Sequence, residues 1–198
     1  MRKSLVLALV AVTMTICRAS ADPLQDGAHY YQRADYAHAM ASWRPLANQG
    51  NPIAQNDLGI LYLDGKGVPQ NISEAVRYLS LSAAAGSSLG QNNLGGLYRD
   101  GKGVRRDYIR AAQWFSASAA QGNSAGMYNL GLMYELGQGM KAEPFHAYMW
   151  YALAAEQGNI PYASAHRDGL WRRMTPAAQS EARTLVETCK ANKYHGCR

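Results

Sequence analysis

The sequence is short of several features that would indicate a particular class of protein. Only two of its 198 residues are Phe and three are Cys, whereas thirteen are Tyr and four are Trp. Charged residues make up 17% of the chain and apolar residues 47%. That balance argues against intrinsic disorder, which requires low hydrophobicity and high net charge. The preference for Tyr over Phe indicates partly exposed seams between helices, where the hydroxyl stays in water.

Long apolar runs are also absent after the first 21 residues, so no stable membrane insertion is expected. Residues 1–21 have the three parts of a secretory signal peptide. Arg2 and Lys3 are positive, residues 5–16 are apolar, and the small residues 19–21 precede Asp22. Ile16 stands before Cys17 where a lipid-anchor motif has a small residue, which argues against lipidation. The sequence therefore predicts cleavage after Ala21 and a periplasmic or secreted protein.

Positive charge is concentrated near the C-terminus. The formal net charge is +6, and removing the three basic residues of the signal peptide leaves +3. Residues 166–198 contain seven Arg or Lys and three Asp or Glu, which gives +4. This end has two interpretations: it meets an acidic partner, or it is a solvated helix face. No basic face interleaved with aromatic residues indicates a nucleic-acid partner.

Two cysteines remain after cleavage, Cys189 and Cys197. Because an exported protein folds in an oxidising compartment, an even pair near the terminus predicts a disulfide that pins the C-terminal tail. The alternative is a metal site formed with His195, but three ligands on a tail with no fourth in view give a weak zinc pattern. No cofactor is expected.

The chain repeats itself with a period of 36 residues. Small, apolar and aromatic positions all keep this spacing, so composition alone does not explain it. The columns are Gly50, Gly86, Gly122 and Gly158; Leu58-Gly59, Leu94-Gly95 and Leu130-Gly131; Tyr62, Tyr98 and Tyr134; Ala39, Ala75, Ala111 and Ala147; and Trp43, Leu79, Phe115 and Tyr151.

Each 36-residue unit encodes two helices. In the first unit these are predicted at about residues 53–63 and 72–85, with Asn71 and Glu74 forming a capping box and Gly86 as a left-handed stop. Gly59 lies inside the first helix, where we expect close approach of a neighbouring helix as compensation. Further pairs are predicted at the ends, residues 25–33 with 36–48 and residues 162–174 with 176–189, and the second of these lacks the glycine signature. The prediction is an all-α, right-handed solenoid of about five antiparallel helix pairs.

The unit A-x3-LG-x2-Y-x2-G-x-GV-x6-A, followed by AA-x-G, resembles the Sel1-like repeat, a relative of the tetratricopeptide repeat. Three copies span residues 54–156, and "YYQRADYAHAMASWRPLANQGN" and "MTPAAQSEARTL" are similar to the entry and exit of exported bacterial members. The resemblance implies a capping pair at 22–51, three repeats at 52–159, and a second capping pair with the tail at 160–198. It also implies an interaction scaffold for a protein or peptide.

Catalytic motifs are hard to find in this sequence. Two G-x-S-x-G matches begin at Gly86 and Gly122, but a nucleophile elbow needs a preceding strand, so Ser88 and Ser124 are interpreted as helix caps. No S-x-x-K occurs, and the five histidines share no ligand spacing. An exported, cysteine-rich branch of the family is linked to penicillin binding and β-lactamase names, but this chain lacks the in-repeat cysteines. A β-lactam or cell-wall hydrolase, or a muropeptide or glycan binder, therefore stays an alternative hypothesis.

The Gly-Lys-Gly stretches resemble phosphate loops but lack the third glycine and the preceding strand. We interpret their glycines as repeat turns that need positive φ, and Lys66 and Lys102 as free to vary at a solvent edge. The turn glycines are Gly65, Gly67, Gly101, Gly103, Gly137 and Gly139.

In stacked helix pairs, the first helices line the concave face. By analogy with tetratricopeptide repeats, the positions two before and two after the leucine of Leu-Gly point inward. The positions one helical turn further along each first helix also point inward. We name this set the groove face, and expect its asparagines to bond a peptide backbone, its aromatic residues to anchor side chains, and Arg99 to meet a carboxylate. The alternative is that the asparagines bond within the repeat. The groove face comprises Asn56, Ile60, Leu63, Asn92, Gly96, Arg99, Tyr128, Leu132, Glu135 and Trp171.

Overall fold

The structure, a computed structural model, describes residues 22–158 and 160–197. The predicted signal peptide lies outside these residues. The described part contains ten helices and no strand. The helices are α1 (Pro23–Gln32), α2 (Tyr36–Asn48), α3 (Pro52–Asp64), α4 (Ile72–Ala84), α5 (Ser88–Asp100), α6 (Tyr108–Ala119), α7 (Ser124–Leu136), α8 (Pro144–Gln157), α9 (Pro161–Trp171) and α10 (Pro176–Ala191).

The helices stack as consecutive pairs. Helix α1 packs on α2, α3 on α4, α5 on α6 and α7 on α8, and each second helix also packs on the first helix of the next pair. The first helices α3, α5 and α7 contact each other along the stack. At the C-terminus, α9 and α10 both pack against α8. The predicted all-α solenoid of helix pairs is confirmed.

The glycine inside each first helix admits a large side chain from the second helix. A Cβ added at Gly59 would lie 2.7 Å from Leu79, and one at Gly95 or Gly131 would lie 2.8 Å from Phe115 or Tyr151. Such distances are not tolerated in a packed interior. The helix approach expected at Gly59 is thus confirmed, and it explains why glycine stands in a helix interior despite its cost of about 1 kcal/mol.

Helix starts follow the capping rules, with one correction. Asn71 accepts a hydrogen bond from the Glu74 backbone N–H at 3.1 Å, which is one half of the predicted capping box. The other half is not formed, because the Asn71 backbone N–H donates to the Tyr62 carbonyl oxygen. The prediction that Ser88 and Ser124 cap α5 and α7 is wrong by one residue. The N-caps are Ser87 and Asn123, whose side chains accept from the backbone N–H three residues later. A cap needs extended backbone before the first turn, and Ser88 and Ser124 already lie inside it.

The turn glycines all have positive φ, between 65° and 75°. The second glycine of each turn also abuts the preceding repeat: an added Cβ at Gly67 would meet Tyr36, and one at Gly139 would lie 2.2 Å from the Tyr108 carbonyl oxygen. Lys66, which we interpreted as free to vary at a solvent edge, makes polar contacts within the protein. Its Nζ lies 3.0 Å from Asp64 and donates to the Tyr31 hydroxyl at 3.2 Å, so it ties the turn to α1.

Candidate functional site

The asparagines of the groove face bond to neighbouring repeats. Asn56 is only 2% exposed, and its Oδ1 accepts from Asn93 Nδ2 at 2.7 Å. One repeat later, Asn92 Oδ1 accepts from Asn129 Nδ2 at 2.8 Å. The alternative expected bonds within a repeat, whereas these two bonds join one repeat to the next and occupy the amide oxygens of both residues. Recognition of a peptide backbone by Asn56 and Asn92 stays a prediction.

Together these amides form a continuous polar ladder across three repeats. Arg99 Nη1 donates to Asn129, Asn129 to Asn92, Asn92 to Asn93, Asn93 to Asn56, and Asn56 to Asp57. Arginine only donates and an ionised aspartate only accepts, so the two ends fix the orientation of every amide between them. We call this chain of six residues the polar ladder.

Arg99, at the donor end of the ladder, has several partners. Its Nε donates to Asp100 at 2.7 Å, and its guanidinium lies 5.9 Å from the centre of the Phe115 ring. The hydrogen bond with Asp100 raises the pKa of Arg99 and lowers that of Asp100. The expected role of Arg99 in meeting a partner carboxylate therefore competes with bonds inside the protein, and it stays a prediction.

A second polar cluster surrounds Glu135 at the C-terminal end of the groove face. Glu135 Oε2 accepts from the Tyr151 hydroxyl at 2.7 Å and lies 3.0 Å from His166 Nδ1. Arg173 Nη2 lies 3.6 Å from the other carboxylate oxygen. Tyr128 packs edge-on against His166, with ring centres 5.7 Å apart. The cluster joins α7, α8 and α9, so two predicted groove residues, Tyr128 and Glu135, meet around one histidine.

Tyr151 is fully buried within this cluster. Burial, followed by the hydrogen bond to the Glu135 carboxylate, raises the pKa of Tyr151 far above its ordinary value. Its phenol therefore stays protonated and acts as a fixed donor to Glu135. Burial also raises the pKa of Tyr128.

Trp171 contacts residues of second helices. Its ring stacks on Tyr148 of α8 at 5.3 Å, and the Arg183 guanidinium of α10 lies 4.6 Å from its centre. The Trp171 ring at the end of α9 therefore contacts both α8 and α10. A role for Trp171 as a partner anchor stays a prediction.

The middle of the groove face is open. A Cβ added at Gly96 would have nothing within 4 Å, unlike the adjacent Gly95. Ile60 and Leu132 occupy the same repeat position as Gly96 and are half-buried, as is Leu63 one turn further on. A gap therefore lies between two aliphatic side chains on this face.

Sequence reasoning missed several residues that the structure places beside the groove face. Asp57, Asn93 and Asn129 form a column at 36-residue spacing, and this polar column was a signal that could have been used. His166 stands 36 residues after Leu130 and Arg173 stands 36 residues after Gly137, so the period gives their positions in and just after α9. It does not give their polar contacts, because the earlier members of both columns carry no charge.

The two cysteines are positioned for the predicted bond. The sulfur atoms of Cys189 and Cys197 lie 1.98 Å apart, which is a disulfide distance. Pairs of this kind are typical of oxidising compartments. Within residues 22–158 and 160–197, no cluster of His, Cys, Asp or Glu is arranged to hold a metal ion. In the same part of the chain, no helix is long and apolar enough to cross a membrane.

Comparison with known families agrees with this repeat geometry. The sequence model of the Sel1 repeat matches three consecutive segments, residues 52–87, 88–123 and 124–159. The chain belongs to the Sel1 repeat family. These segments hold α3 to α8, the polar ladder and the glycine turns. No curated protein sequence matches the chain significantly.

Two solved structures are similar to this Sel1 repeat chain. A Sel1 repeat protein from Oxalobacter formigenes is 31% identical, with a TM-score of 0.67, over 75% of this chain and 60% of its own. The second is c5321, a protective antigen of uropathogenic Escherichia coli strains that displays an SLR fold. It is 23% identical, with a TM-score of 0.60, over 87% of this chain and 46% of its own, and supports the fold alone. This chain therefore matches less than two thirds of the length of either protein.

Proposed function

We propose that this Sel1 repeat protein is a scaffold that binds a protein or peptide partner along its groove face. Sel1 repeats typically mediate protein interactions, and helix-pair solenoids present extended concave surfaces. The groove face also offers the mixture that partner surfaces use: aliphatic side chains at Ile60 and Leu132, an aromatic ring at Tyr128 and a charged cluster at Glu135.

The observation that most supports this proposal is the open space at Gly96. Glycine in a helix interior is unfavourable by about 1 kcal/mol relative to alanine. Gly59, Gly95 and Gly131 each admit a second-helix side chain, but no atom lies near the missing Cβ of Gly96. Internal packing therefore gives no reason for this glycine. Close approach of a partner backbone at the centre of the groove does give one.

Site-directed photo-crosslinking tests the proposal. A photo-crosslinking amino acid placed at Leu132, a groove-face position that already holds a large side chain and leaves the gap at Gly96 empty, should capture a discrete partner in intact cells. The same amino acid at Gln113, an exposed residue of α6 on the second-helix side, is the matched control and should not capture it. A partner captured from position 113 and never from position 132 would place the binding face elsewhere.

We propose further that the protein works in the cell envelope. The signal-peptide pattern of residues 1–21 and the cysteine pair of the C-terminal tail support export. N-terminal sequencing of protein from the envelope fraction should give Asp22 as the first residue. Full-length protein confined to the cytoplasm would contradict export without bearing on the groove.

A further inference from the structure

Within the described part of the chain, no cation forms an ion pair with the carboxylate of Asp57. Its Oδ1 accepts one hydrogen bond, from Asn56 at 3.0 Å, as the acceptor end of the polar ladder. No Lys, Arg or His of the described residues forms an ion pair with it, and the same position in the next two repeats holds neutral Asn93 and Asn129. Burial raises the pKa of Asp57, because the ionised carboxylate is less favourable in this position than in water.

The ladder ends here because α1 offers no amide to extend it. Gly27 in α1 corresponds to Gly59 in α3, since each packs against a large side chain of the following helix. Leu24 stands three residues before Gly27, in the place that Asn56 has before Gly59. A leucine side chain neither donates nor accepts a hydrogen bond, so Asp57 faces the gap between α1 and α3, and no hydrogen bond joins it to the described residues of α1, although Tyr31 and Gln32 line the same gap.

That gap is a cavity of about 250 Å³ lined by α1, α2 and α3. It is smaller than the roughly 300–1,000 Å³ of sites for drug-sized ligands, and its size suits one side chain. Its walls combine aromatic and aliphatic surface with the Asp57 carboxylate. Lys66 donates to Tyr31 of the cavity wall, but its charge is already paired with Asp64. The lining residues are Ala28, Tyr31, Gln32, Trp43, Asp57 and Ile60.

We propose that this cavity receives a lysine or arginine side chain of the partner peptide, with its cationic group on Asp57 and its aliphatic stem against Ile60 and Tyr31. The inference rests on the proposed function, because Ile60 joins the cavity to the groove face. Charge complementarity selects the occupant: a half-buried carboxylate gains more from a cation than from a neutral donor. The apolar walls suit the methylene stem of a long basic side chain.

Selection from a displayed library of random dodecapeptides on the purified protein tests this site. Peptides selected on the wild type should share one Lys or Arg, and this enrichment should disappear with Asp57→Asn. Replacing the shared Lys or Arg of a selected peptide by Gln should weaken its binding to the wild-type protein on the order of tenfold or more. The same peptide change should have little effect on binding to the Asp57→Asn protein. Glu181→Gln removes the charge of an exposed carboxylate on α10 and serves as the matched control.

The outcomes separate this site from the groove itself. Peptides that bind the wild type, lose affinity in Gly96→Leu and carry no shared basic residue would overturn the cation site and leave the groove proposal standing. A library that yields no binder would contradict both.

If Asp57→Asn binds weakly and also folds poorly, a pH series on the wild type decides. Binding of the Lys peptide should fall as pH drops and Asp57 gains its proton, and binding of the Gln peptide should not. Equal pH dependence of the two peptides would overturn the cation site.

Discussion

At the scale of single residues, adjacent glycines in α5 have opposite roles. Gly95 lies against the Phe115 ring, whereas Gly96 faces open space. The 36-residue period separates them, since Gly95 stands in the column of Gly59 and Gly131, whereas Gly96 stands in the column of Ile60 and Leu132. The position of the second helix gives the physical reason, because it brings the Phe115 ring against Gly95 and leaves Gly96 open. This difference provides a matched pair of substitutions.

Gly95→Ala should lower the free energy of unfolding by about 1–3 kcal/mol, because its Cβ overlaps a ring that has no room to move. Gly96→Ala should raise it by up to about 1 kcal/mol, because alanine favours the helix and meets nothing. Urea denaturation followed by circular dichroism measures both. Equal effects of the two substitutions would contradict the packing described for α5.

Tyr151→Phe removes the hydroxyl that donates to Glu135, and should cost about 1.5–3 kcal/mol at neutral pH. The raised pKa of Tyr151 also predicts a pH dependence. Above about pH 10 the unfolded chain loses this proton and the folded protein keeps it, so the stability of the wild type falls as pH rises.

The Tyr151→Phe variant has no phenol proton to lose at this position, so its free energy of unfolding should fall less steeply over the same alkaline range. Chemical denaturation at a series of pH values measures the slope. Tyr162→Phe, which removes an exposed hydroxyl, is the control at neutral pH and should leave stability unchanged. Identical slopes for the wild type and Tyr151→Phe would argue against the buried bond to Glu135.

At the scale of helices, the C-terminal pair depends on contacts that the repeats do not use. Helix α10 packs on α8, Arg183 stacks on Trp171, and the tail returns through Cys197 to Cys189. Gly158 also departs from its column. Its φ is −154°, whereas Gly50, Gly86 and Gly122 have φ between 80° and 88°. Side-chain contacts and the cysteine pair thus replace the repeat geometry at this end.

Cys197→Ser should lower stability by roughly 2–3 kcal/mol if the pair is oxidised, because the bond closes a short loop in the unfolded chain. Thermal unfolding with and without a reductant measures the effect. The reductant should lower the unfolding temperature of the wild type and should leave that of Cys197→Ser unchanged. Alkylation of both cysteines in unreduced, denatured wild type would show that the bond is not formed.

At the scale of the whole molecule, the repeats are interchangeable units. Gly90 packs against Ser82 as Gly126 packs against Ser118, so consecutive interfaces have the same chemistry. In such a solenoid, stability is approximately a sum over repeats and nearest-neighbour interfaces. Removing one complete unit should therefore lower the free energy of unfolding and leave the remaining repeats folded.

Deletion of residues 88–123 should leave a folded helical protein of lower stability, because Gly126 would then meet Ser82 in place of Gly90. Deletion of residues 88–105 removes α5 without its partner α6 and should not fold. Circular dichroism and cooperative thermal unfolding distinguish the two. Loss of structure in both deletions would contradict equivalence of the repeats.

The period of 36 residues predicts most of the fold because columns such as Leu58, Leu94 and Leu130 mark the buried face directly. It does not predict the polar ladder. Asn56 bonds Asn93, 37 residues away, so the contact joins two different columns. Each column taken separately suggests free amides, and only the stagger between α3 and α5 shows that they meet. His166 was missed because α9 keeps a helix without the repeat signature.

The central claim is that a partner binds on the groove face. It is tested most directly by calorimetric titration of the partner captured through position 132 into wild-type protein and into Gly96→Leu. Leucine fits a column that already holds Ile60 and Leu132, and it fills the gap between them. The affinity should fall on the order of tenfold or more in Gly96→Leu and stay unchanged in Gln113→Leu, with both variants fully folded. Unchanged affinity in Gly96→Leu would contradict binding at this face.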